Sequence, residues 1–91
     1  MIDKSKLHSA LKMAIPTEWS NVKSTSALIG DDHYRVVLKH DQKLGNVNVS
    51  IESTLTDTEI AGVTVSSKSL YKNAPAIDTV VTVLYEQSKS V

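Results

Sequence analysis

The residues of this chain with the widest chemical repertoire are three histidines, His8, His33 and His40, and the acidic pair Asp31-Asp32 that precedes His33. A carboxylate beside an imidazole is the arrangement for acid–base work, the carboxylate orienting the ring that moves the proton. Gly30-Asp31-Asp32 is also ordinary turn chemistry, and no candidate nucleophile stands beside it in the sequence. His33 and His40 bracket one extended run, which places them about 23 Å apart on opposite faces, too far to share a metal ion. His8 sits beside the apolar stripe of a helix. Solvated or capping histidines are therefore expected. No serine lies in a Gly-x-Ser-x-Gly elbow, or in a Ser-x-x-Lys motif followed by its usual partners. Ser66-Ser67-Lys68-Ser69 is rich in hydroxyls but lacks the glycines that let a backbone approach a phosphate. Thr56-Asp57-Thr58-Glu59 is acidic without the ligand spacing of a calcium loop. No catalytic residue, cofactor or metal ligand is predicted.

The totals narrow the class further. Ninety-one residues suffice for one domain, spanning 1–91, with a core of modest stability. Ten basic and ten acidic side chains cancel, leaving in the total no footprint for nucleic acid or an anionic membrane. The absence of cysteine excludes disulfides and thiolate zinc sites. No apolar run reaches the roughly 18 residues of a membrane span and no signal-peptide core is visible, so a cytoplasmic location is expected. With no Phe and one Trp, aliphatic side chains must fill the core.

The elements that would position these residues are legible from their periods. Leu7, Leu11, Ala14 and Ile15 follow helical spacing within Asp3 to Ile15, with Asp3 or Ser5 as cap and Pro16 as terminator. Trp19 is read as a plug on one end of the core rather than a ligand-stacking residue. Ser26 to Ile29 is a short strand. Three runs then alternate apolar and polar positions: Tyr34 to Lys39, Asn46 to Glu52 and Ile60 to Ser67. Asp41 to Asn46 is a hairpin loop, and Thr54 to Glu59 joins the last two strands. The C-terminal segment carries two signals. Thr79 to Tyr85 favours a strand by residue type, whereas Asn73-Ala74-Pro75 resembles a helix start and Ile77, Val80, Val81 and Leu84 keep helical spacing. Cap and length predict a helix over Asn73 to Ser88.

Helix, three-stranded meander and helix is the element order of the double-stranded-RNA-binding domain. Ser67-Lys68-Ser69-Leu70-Tyr71-Lys72-Asn73-Ala74 resembles the Ser-Lys-Lys-x-x-Lys run that opens that family's second helix. The resemblance implies phosphate contacts from Lys68 and Lys72 and a minor-groove contact from the loop holding His40 and Lys43. Val63 and Val65 stand where the family has glycines, and Ser69 stands where it has a lysine.

The fold expected is α+β: an N-terminal helix, a three- or four-stranded antiparallel meander and a C-terminal helix, with both helices on one face of the sheet. The function expected is a non-enzymatic interaction or regulatory protein acting through protein–protein contacts, including pairing with a second copy, with RNA binding as the alternative. If Ser26 to Ile29 pairs with the first main strand, the run Ile60 to Ser67 is left at a sheet edge without charge or proline. Ala61, Val63, Thr64, Val65 and Ser66 then form the candidate contact strand.

Overall fold

The computed structural model describes residues 2–31 and 33–89; Asp32, one of the two carboxylates beside His33, lies outside them. Helix α1 spans Lys4–Ala14. Asp3 caps it: its Oδ1 accepts from the Ser5 and Lys6 backbone amides at 2.8 and 3.1 Å and from the Ser5 hydroxyl at 2.8 Å. The Ser5 hydroxyl, then the Lys6 amide, hold the Asp3 carboxyl below its ordinary pKa. The helix ends where Ile15 turns extended, with φ −69° and ψ 122°. That is the geometry a following proline imposes on its predecessor.

Four strands follow: β1 Ser24–Ile29, β2 Tyr34–Asp41, β3 Asn46–Ser53 and β4 Glu59–Ser66. They form one antiparallel sheet in the order β1-β2-β3-β4. β1 starts two residues earlier than the sequence signal, because Ser24 and Thr25 pair with Lys39 and Leu38 despite their polarity. Helix α2 spans Ala76–Lys89 and turns Ile77, Val80, Val81 and Leu84 into the core. Helical spacing thus prevails over the strand-favouring composition of 79–85. Asn73 lies three residues ahead of Ala76, and the entry is instead made by turns in which Ala74 and Ile77 amides bond Tyr71 and Ala74 carbonyls. α1 lies over β1 and β2, α2 over β4 and β3, and the helices touch one another.

The core is the contact between this helix layer and one sheet face. Val36 and Leu38 of β2 and Val47, Val49 and Ile51 of β3 are wholly buried, since central strands have neighbours on both sides. Tyr34, Val63 and Val65, expected with them, are only half-buried. Tyr34 sits at the end of its strand, and β4 has one flank open to solvent. Ile2, Ile29 and Leu70 join the core from segment ends where no periodic signal exists, and Ala10 and Ala61 join it from within α1 and β4. A register shift lies at Ile51/Glu52, where Ile51 pairs with Ala61 but Glu52 pairs with Glu59. The extra residue is Ile60. It lets Ile60 and Ala61 both pack on the core, while Glu59 returns to the open face and lies across Gly62.

Two outcomes test this account. Ile51→Ala should cost about 2–5 kcal/mol in urea unfolding, because a wholly buried branched side chain leaves a cavity the central strand cannot close. Acidification should also loosen α1. A depressed Asp3 carboxyl contributes fully above the unfolded value of about 3.9 and loses its contribution as pH falls through its lower folded value. Asp3→Asn still accepts at the cap but cannot titrate, so that share of the acid-induced loss should disappear from thermal melts followed by circular dichroism.

Candidate interaction surfaces: a sheet edge and a loop-built end

β4 has no outer neighbour. Ser67 donates its amide to Gly45 O at 3.0 Å, so Gly45 and Ser67 are a hydrogen-bonded pair. Alternation along the ladder makes 47/65, 49/63 and 51/61 bonded pairs as well, and turns the N–H and C=O of Gly62, Thr64 and Ser66 outward. Of the predicted contact residues, Ala61, Val63 and Val65 therefore face the core, and only Thr64 and Ser66 are exposed.

The edge is partly guarded. Gln87 of α2 accepts from Gly62 N–H through Oε1 at 2.9 Å and donates to Gly62 O through Nε2 at 3.0 Å. Its amide occupies the place a residue of a fifth strand would take. The Ser66 carbonyl is used by the Ser69 amide at 3.0 Å. Among the described residues this leaves Thr64 with both outward groups unpaired and Ser66 with its N–H. The sequence could not show the Gln87 contact, because a polar residue on a helix surface carries no sign of its distant partner.

At the end of the sheet holding the β1–β2 turn, a cleft of about 270 Å³ is lined by Asp3, Lys6, Asp31, His33, Tyr34 and Ser53 among others. The fold thus brings a hydroxyl beside the Asp31–His33 pair that the sequence left without one. The constellation is loose: His33 Nε2 is 3.7 Å from Asp31 Oδ2, and both side chains are mostly exposed. The Ser53 hydroxyl accepts from the Leu55 amide at 3.3 Å. Among the described residues no hydrogen bond joins it to His33, and the volume falls below the usual several hundred Å³ of ligand pockets. His8 bonds Asp78 across the two helices at 3.2 Å, and no group of metal-ligating side chains occurs among the described residues.

Three loops meet at the opposite end: 15–23, 42–45 and 67–75. Gly45 O joins the second and third of them, accepting from both the amide and the hydroxyl of Ser67. Gln42 bonds Ser20 O at 2.8 Å, and Trp19 Nε1 donates to Leu70 O at 2.7 Å. The Trp19 ring packs 5.3 Å from that of His40, whose Nδ1 donates to Val22 O at 3.0 Å. Trp19 is the plug its sequence context predicts, and His40 is an internal strut beneath it. Of the residues to which the resemblance assigns RNA contacts, Lys43 and Lys68 lie at this end. Lys68 and Lys72, however, lie on the 67–75 connection rather than opening α2, and the sheet has four strands instead of three.

Comparison with protein-family models, curated proteins and solved structures yields no match. No helix among the described residues is long and apolar enough to cross a membrane.

The Gln87 contact has a direct readout. The outward Gly62 amide should exchange with solvent slowly, and Gln87→Ala should accelerate it at least roughly tenfold, to the rate of an unguarded edge. Thr64 should exchange fast in both proteins by NMR. Equal Gly62 rates would show the contact to be absent in solution.

Proposed function

We propose that the chain is a non-enzymatic interaction protein that acts through protein–protein contacts at the outer edge of β4, a second copy of itself being the partner the strand fits. The observation that carries this reading is the unpaired Thr64 peptide on an edge without lysine or proline between residues 60 and 66. Unpaired edge groups recruit other strands unless guarded, and here guards stand on either side of Thr64 but not at it. Two copies meeting antiparallel across Thr64 would exchange two backbone bonds about a two-fold axis, the commonest oligomer symmetry. Gln87 limits the length of this ladder. Its release would free Gly62 O to accept from Ser66 N–H of the other chain.

Sedimentation over a range of concentrations tests the reading by opposed effects. Thr64→Pro removes an outward amide that the fold does not use and should weaken self-association about tenfold or more. Gln87→Ala should strengthen it. Ser26→Pro, at an outward position of β1, should leave it unchanged. Val65→Pro should instead unfold the β3–β4 ladder, since that amide belongs to β3. A wild-type protein that remains monomeric at high concentration, with Gln87→Ala no different, would sink the self-pairing reading.

A further inference from the structure

We propose a second, independent contact surface: the loop-built end at Gly45 docks on an anionic lipid surface. The net charge of zero averages two unlike ends. Lys12, Lys23, Lys39, Lys43, Lys68 and Lys72 lie at or next to this end, with Glu18, Asp41 and Asp78 as the acids nearby, and Asp78 is turned onto His8. None of the six lysines makes an ion pair with a described residue. The other end carries Asp3, Asp31, Asp57 and Glu59 together with Lys4, Lys6 and Arg35, of which Arg35 is paired with Asp57, so the excess of unpaired cations lies at the Gly45 end.

The Gly45 end carries three of the five exposed large apolar side chains among the described residues, Met13, Leu44 and Tyr71, which are 77%, 73% and 50% exposed. Each adjoins a lysine in sequence: Lys12-Met13, Lys43-Leu44 and Tyr71-Lys72. Surface segments that pair a cation with an apolar side chain, here the last turn of α1 and two loops, match a headgroup boundary, where lysine meets anionic lipid and the neighbouring side chain enters the acyl region. Duplex RNA offers phosphates to the lysines but nothing to an aliphatic tip. Of the two exposed or partly exposed aromatic side chains here, Trp19 is committed, its N–H to Leu70 O and its ring to His40, which leaves Tyr71 alone to stack on a base. The contact would be peripheral, held by several weak signals on the joined loops and the last turn of α1.

Vesicle co-sedimentation of the full chain tests this. Binding is expected to phosphatidylcholine–phosphatidylserine vesicles and not to pure phosphatidylcholine, and should fall as salt rises. Lys43→Glu with Lys68→Glu should lower the partition at least about tenfold, and Leu44→Ser roughly fivefold. Leu55→Ser, at the 80%-exposed tip of the β3–β4 turn, is the control expected to change nothing. All four positions are exposed, and unchanged thermal melts would confirm intact folds. Equal binding to both vesicle types, or none, overturns the proposal. So does a Leu44→Ser protein that binds like wild type while the lysine reversals abolish a salt-sensitive shift on duplex RNA, because the end would then be a polyanion site.

Discussion

The pairing of β2 with β3 is the constraint on which the rest of this structure depends. Its register sets Val36 against Ile51 and Leu38 against Val49, four side chains with no exposed surface. A slip of one residue in either strand would turn that strand's pair to solvent and put Arg35 and Lys39, or Glu52, inside. On the other face the same register holds Arg35 against Glu52, with Nε and Nη2 at 3.0 and 2.8 Å from one carboxylate oxygen. Arg35 also reaches Asp57 at 2.7 Å, which ties the β3–β4 turn back to β2 and raises the guanidinium pKa further. Asp57 adopts φ 56° there, a left-handed conformation that Asp tolerates better than most residues.

Both helices gather on one face of that hairpin, which leaves the protein with exposed regions of different character. The open sheet face is polar and internally satisfied, as the Arg35 network and the 3.2 Å bond from Asn48 Nδ2 to Thr64 Oγ1 show. The β4 edge is apolar on its inner side and guarded at Gly62 and Ser66. The two ends differ most. At one, Asp3, Asp31 and His33 surround a shallow cleft; at the other, three loops are clamped together by Gly45, Trp19 and Gln42 beneath a crown of lysines. Rigid loops presenting unpaired cations are better suited to recognising an extended surface than to enclosing a small molecule.

Much of the architecture was legible in the sequence because it rests on local periodicity. Alternation in Asn46 to Glu52 and helical spacing in Leu7, Leu11 and Ile15 bury what they predict. Pro16 ends α1 and the Asp41–Asn46 turn closes its hairpin by steric rules that need no partner. The ambiguous C-terminal segment became a helix because its apolar side chains find the face over β3 and β4, where helical spacing buries four of them together.

What the tertiary structure alone decided is long-range or sub-residue. The amide of Gln87 meets Gly62 across 25 positions, and Ser53 reaches the cleft of Asp31 and His33 across 20, distances over which a linear pattern carries no information. The bulge at Ile60 depends on the match between two strands rather than on either one. Charge behaved in the same way. Composition reports only the sum, whereas the topology carries six of the nine lysines to one end and leaves Asp3, Asp31, Asp57 and Glu59 at the opposite one. Periodicity is a property of neighbouring residues and survives in the sequence; polarity of the whole molecule is a vector, and exists only once the chain has been folded.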